Sequence, residues 1–189
     1  MVRTGVLGAM GVVCASTAAA YWGLVTGALP LDLGVGRRTR PLGRQTVEIA
    51  AGREVVFDVV AQPYLGRATT AMREKVVVLE RGSDLVLAAH RTPVVGGRLT
   101  ATTVETVKFT RPERVDFRLV RGPVPAVTET FTLTEQGSGT RLVYEGEMGT
   151  DLWRAGQWWG DLVAPRWEET VAASLAAVRH EAERRASPR

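Results

Sequence analysis

The chain has one cysteine, Cys14, in 189 residues, so it carries no intrachain disulfide and no cysteine-built zinc site. Its two histidines, His90 and His180, are too few for a multi-histidine metal cluster. No metal and no cofactor is expected. Lysine is scarce, with arginine supplying 22 of the 24 basic side chains. Most of the chain has no excess of either charge: residues 45–189 hold 19 basic and 19 acidic groups. The net charge of +4 sits in residues 1–44, with five Arg and one Asp. A neutral domain has no electrostatic footprint for a phosphate backbone, which excludes nucleic acid as a partner. There is no G-x-S-x-G elbow, since Gly137-Ser138-Gly139 reads as a hairpin turn. What remains is an ordinary composition, 45% apolar and 23% charged, that is neither disordered nor fibrous.

What is present begins with a greasy amino terminus. Thr4 to Leu31 is a run of 28 residues without a charge. Gly5–Leu29 as a helix spans about 38 Å at 1.5 Å per residue, enough for a hydrocarbon core of about 30 Å. Residues 1–30 are therefore expected to be a single-pass membrane anchor. The alternative is a cleaved signal peptide ending at Ala18-Ala19-Ala20, with a secreted product. Arg37, Arg38, Arg40 and Arg44 follow the run, and the positive-inside rule then places the C-terminal domain in the cytoplasm. Residues 31–44 read as a basic linker. Gly11, Ala15, Ala19, Gly23 and Gly27 form a small-residue ridge through which two such helices can approach as a homodimer.

The rest of the chain reads as an ordered series of elements. Thr46–Ile49 is a strand, and Arg53 opens a helical pattern that stops before Pro63. A poorer helix covers Tyr64–Met72. The period then changes to two, giving six strands at 75–80, 85–90, 98–109, 114–120, 127–135 and 141–147, separated by Gly- and Pro-rich turns. Val163, Trp167, Val171, Leu175 and Val178 stripe a long last helix, with Pro165 tolerated only near its start. The fold class is α+β. A curved antiparallel sheet of about seven strands wraps a long C-terminal helix, and a pocket opens where helix and sheet diverge.

This order resembles the START-like superfamily of polyketide cyclases, dehydrases and lipid-transport proteins (SRPBCC), which has the helix-grip fold. The resemblance is carried by Val47-Glu-Ile-Ala-Ala-Gly-Arg-Glu-Val-Val-Phe-Asp-Val-Val-Ala-Gln-Pro-Tyr64, by Gly139-Thr-Arg-Leu-Val-Tyr144, and by the long helix after them. It covers about residues 45–187, the expected ligand-binding domain, and implies a cavity for an apolar ligand. The superfamily has no universal catalytic residues to carry over, so fold alone does not name a function.

Centring each turn on its Gly and Pro residues places one face inward. That face collects Leu99, Thr103, Phe131 and Tyr144, joined from the helix by Trp159, Val163 and Trp167 as the expected ligand lining. Within it Glu105, Arg118 and Glu129 form a row on neighbouring strands, where one guanidinium bridges two carboxylates. A one-residue slip instead turns Phe117 and Leu119 inward and Arg118 outward. Glu105, Glu129 and His90 are the candidates for proton transfer, with His90 expected beside Leu99 near a turn. The leading expectation is a membrane-tethered binder or carrier of a hydrophobic small molecule or lipid, and not an enzyme. The alternatives are a cyclase, aromatase or dehydratase, and a protein-interaction module with a filled core.

Overall fold

The computed structural model describes residues 19–29, 32–66 and 70–187. Strand β1 (Arg38–Ile49) leads into helices α1 (Arg53–Leu65) and α2 (Thr70–Lys75). Six strands follow, β2 (Val76–Arg81), β3 (Leu85–Val94), β4 (Leu99–Thr110), β5 (Arg114–Arg121), β6 (Ala126–Gln136) and β7 (Gly139–Thr150), and then helix α3 (Trp153–Ala186). The strands make one antiparallel sheet in the order β1-β7-β6-β5-β4-β3-β2. Helices α1 and α2 carry the chain from one edge of the sheet to the other, so β1 and β2 are the edge strands. The sheet also starts early: Arg38, Arg40 and Arg44 of the expected linker lie within β1.

Alternating burial along the strands builds the core. Val86, Val107, Val115, Leu133, Leu142 and Met148 point inward and meet Val56 and Phe57 of α1, all essentially inaccessible. Helix α3 is 34 residues long and continues through Pro165, well inside it rather than at its start. Val171, Leu175 and Ala182 in its C-terminal half are buried. Its first turn folds tightly onto the residues before it, because a Cβ added at Gly156 lies 1.7 Å from Asp151 O, and it approaches β7 at Gly160, where an added Cβ lies 3.2 Å from Thr150 Cγ2.

Among the described residues no helix is long and apolar enough to cross a membrane. This corrects the expected single-pass membrane placement. Residues 1–18 lie outside the described residues, but the end of the expected anchor is visible. Residues 19–25 are helical and the chain then turns, with Thr26 O accepting the Thr102 N–H at 3.0 Å. Arg121 donates to Gly27 O and Ala28 O. Such polar partners belong to a protein surface and not to hydrocarbon. Gly27 of the expected dimer ridge is also used within the chain. Its φ is +71° and an added Cβ lies 2.4 Å from Thr102 O, so only glycine fits.

A charged latch fixes the segment that follows. The buried Asp151 carboxylate accepts hydrogen bonds from Leu33 N (2.7 Å), Gly34 N (2.8 Å) and Arg37 Nε (2.8 Å). The Arg37 bond, with help from the two amides, holds the Asp151 pKa below its ordinary value against the cost of burial. Asp151→Asn should lower stability at neutral pH by about 1.5–3 kcal/mol, the usual worth of hydrogen bonds to a charged group. A carboxyl with a lowered folded pKa contributes stability above its unfolded value and loses it as pH falls through the folded one. Urea unfolding should therefore show a gap between wild type and variant at pH 7 that is smaller at pH 3, below the ordinary value of 3.8. An equal gap at both would contradict the charged latch.

Candidate functional site

Strand register decides which residues share the inner face. Ala88 pairs with Glu105 and His90 with Thr103. Glu105 pairs with Leu119, Phe117 with Glu129, and Glu129 with Gly146. Phe131 and Tyr144 face each other on β6 and β7. The two glutamates are thus inward and buried, while Arg118 pairs with Thr128 and is exposed. The Glu-Arg-Glu row is therefore corrected, and the alternative register, slipped by one residue, is the one observed. The β4–β5 loop holds three residues, Arg111, Pro112 and Glu113, so its centre falls on a residue and not between two. That half-step moves β5 by one position and turns Phe117 and Leu119 inward.

The basic side chain that meets Glu105 on this face is His90. It does not sit beside Leu99, because β3 and β4 run on to a Val94–Leu99 pair before the turn. Leu99 stands at that hairpin tip, six residues along β4 from Glu105, about 20 Å away in an extended strand. Its place in the lining is corrected accordingly. His90 instead lies diagonal to Glu105, with Nδ1 2.8 Å from Glu105 Oε2. On its other side Nε2 meets Tyr64 Oη at 3.1 Å, giving a chain Tyr64–His90–Glu105.

Glu129 has a different environment. Its Oε1 accepts hydrogen bonds from Tyr144 Oη and Trp167 Nε1, each at 2.7 Å. Both bonds favour the charged form. Burial and the nearby Glu105 outweigh them and push the Glu129 pKa up to about 7. For His90, burial opposes protonation, but the Glu105 carboxylate in contact and Glu129 farther off raise its pKa above 6.5. Burial and the same carboxylates drive the phenols of Tyr64 and Tyr144 upward. One apolar face therefore holds a histidine pushed toward its protonated form and a glutamate poised to share a proton at neutral pH.

The walls are aromatic. Rings run from Tyr64 to His90 (5.7 Å between centroids), His90 to Phe117 (6.3 Å), Phe117 to Phe131 (5.4 Å) and Phe131 to Tyr144 (5.3 Å). Phe117, Phe131, Thr103, Trp159, Val163 and Trp167 remain only partly buried, although those on the sheet face inward. Trp159 is held by its Nε1 bond to Pro123 O at 2.7 Å. Two further hollows open elsewhere. One, about 710 Å³, is lined by Pro63, Gly66, Arg73, Val76, Val77, Val78 and Arg81; the other, about 370 Å³, lies between β1 and β7. Neither contains the cluster. Among the described residues no group of three or more His, Cys, Asp or Glu is placed to hold a metal.

Sequence reasoning placed Glu105 and Glu129 on one face and missed Tyr64. The signal was there: Phe57, Val60 and Tyr64 follow i, i+3, i+7 spacing and are all buried on α1. A carboxyl with a raised folded pKa makes stability fall as pH rises between its unfolded and folded values. For Glu129 that window runs from 4.5 to about 7. At about 1.4 kcal/mol per pKa unit the loss approaches about 3 kcal/mol. Glu129→Gln keeps an acceptor for Tyr144 and Trp167 without the charge. It should gain stability relative to wild type between pH 4.5 and 8 in urea unfolding. A difference independent of pH would show that Glu129 titrates as an ordinary carboxyl.

No family model matches the chain, and no curated protein matches it in sequence. Solved structures do resemble it. The aromatase/cyclase Zhui from Streptomyces sp. R1128 is 21% identical, with 79% of this chain and 97% of that one covered at a TM-score of 0.64. A protein from Thermus thermophilus is 18% identical over 78% of this chain and 100% of its own, with a TM-score of 0.60. Norcoclaurine synthase from Thalictrum flavum, solved with dopamine and hydroxybenzaldehyde, is 12% identical over 82% and 91%, with a TM-score of 0.61. At such identities the likeness is one of fold. The seven-stranded curved sheet and long C-terminal helix are the helix-grip fold that the sequence resembled.

Proposed function

We propose that this chain binds a flat, hydrophobic small molecule between α3 and the sheet and moves protons on it, as a cyclase, aromatase or dehydratase of polyketide-like substrates does. One observation carries the reading: His90 backed by Glu105, and Glu129 pushed up to about 7, share one aromatic inner face. Loss of water from a β-hydroxy carbonyl compound sends one C–H proton to a base and one proton to the departing hydroxyl. Aldol-type ring closure makes the same two demands. Ionised Glu129 is the base, and protonated His90 is the acid that delivers its Nε2 proton through the Tyr64 hydroxyl it meets. Tyr64 touches the same imidazole and completes a path for the returning proton. Glu105 positions His90 and holds its proton. The aromatic walls exclude water, which strengthens every one of these interactions.

Two of the similar structures support the substrate class, one by being an aromatase/cyclase and one by its dopamine and hydroxybenzaldehyde complex. The partly buried aromatic lining also favours a second reading, a carrier that holds the molecule without changing it. Ring opening of 5-nitrobenzisoxazole separates the two, because it needs only a base to remove one C–H proton in an apolar site. The rate should rise with pH around a midpoint of about 7. Glu129→Gln should lower it by about 10²-fold, the typical worth of a positioned base, while the probe still quenches Trp167 fluorescence. Quenching with an unchanged rate would favour the carrier, and no quenching would contradict the cleft itself.

A further inference from the structure

Residues 19–29 lie across the end of the cleft at which His90 stands, and the register fixes that placement. His90 pairs with Thr103 and Arg91 with Thr102. The Thr102 N–H, one residue past the inward-facing Thr103, donates to Thr26 O at 3.0 Å. Arg121, at the end of β5, donates from Nε to Gly27 O at 3.1 Å and from Nη2 to Ala28 O at 2.9 Å. On the opposite wall the Tyr21 ring meets Trp159 of α3 edge-on, with centroids 6.3 Å apart. The segment thus bridges the two walls of the cleft, where Thr103 and Leu119 from the sheet and Trp159 from the helix border the opening.

The bridge is thinly held. Tyr21, Trp22 and Leu29 are each about half exposed, and Leu24 and Val25 are partly buried without joining the hydrophobic core. Carbonyl oxygens of three consecutive residues, Thr26, Gly27 and Ala28, take the bonds that seat it. Segments with few buried apolar contacts open locally at low free-energy cost. Farther along the chain Leu33, Gly34 and Arg37 are pinned by Asp151, so an opened segment stays tethered beside the cleft. The geometry points to residues 19–29 as a strap that opens to admit a flat hydrophobic ligand to the His90 end and then closes over it. This inference rests on the cleft proposed above and adds the element that controls entry.

Stopped-flow tryptophan fluorescence with 1-naphthol as the probe tests it on the full chain. Arg121→Ala removes two of the seating bonds, and Gly27→Val puts a side chain where Thr102 O lies. Both variants should speed association and dissociation by about tenfold or more while the dissociation constant changes little, as removal of a gate does. Amide exchange over residues 19–29 should slow when 1-naphthol binds wild type and be fast in both variants. Unchanged rates in variants whose strap amides exchange fast would overturn the strap and leave the cleft intact. Unchanged rates with strap amides still protected in both variants would also overturn it, because these bonds would not be what seats the segment. Absence of any fluorescence change in all three proteins would overturn cleft and strap together.

Discussion

Glu129 is a buried carboxyl with no cation in contact among the described residues, and much of the site is organised around that fact. Its two hydrogen bonds come from neutral donors on opposite walls, Tyr144 on β7 and Trp167 on α3. The Trp167 bond therefore does more than solvate a charge. It ties the first half of α3 to β6, while the C-terminal half of the helix buries Val171, Leu175 and Ala182 and is also bonded through Glu183 to Ala50 N and through Arg185 to Gln62. The N-terminal half of the helix is thus held over the sheet in part by a hydrogen bond to a titratable group. The cleft occupies that half.

The same face illustrates why the identity of a buried cation matters. A guanidinium between Glu105 and Glu129 would have been a permanent charge with no proton to give. His90 in contact with Glu105 supplies a similar attraction, but it titrates within reach of neutral pH. Tyr64, contributed by α1, gives the imidazole a second partner. Three separate parts of the chain, α1, the β3–β4 hairpin and the β6–β7 hairpin, thus meet in a cluster that stores and moves protons. An arginine in that place would have made a structural ion pair.

Much of the fold was legible because periodicity and turn chemistry survive without tertiary information. The β6–β7 pairing of Phe131 with Tyr144 and Glu129 with Gly146 follows from the short turn at Gly137, whose φ is +59°. Arg118 was misplaced because register depends on whether a loop holds an even or odd number of residues, and Arg111-Pro112-Glu113 reads either way. His90 was misplaced because Pro93 looked like a turn residue, whereas it lies in β3 and the turn falls at residues 95–98. The apolar amino terminus misled for another reason. Hydropathy alone does not distinguish a membrane span from a segment laid on its own domain, and only the bonds at Thr26, Gly27 and Ala28 make the difference.

The central claim is that the pKa values of His90 and Glu129 are both raised on one buried face. A nuclear magnetic resonance titration of the side chains, reading the Glu129 carboxyl carbon and the two His90 ring nitrogens, tests it most directly. The account predicts a Glu129 midpoint of about 7 and a His90 imidazole that keeps its proton above pH 6.5. A Glu129 midpoint near 4.5, or a His90 that loses its proton below 6.5, would contradict it.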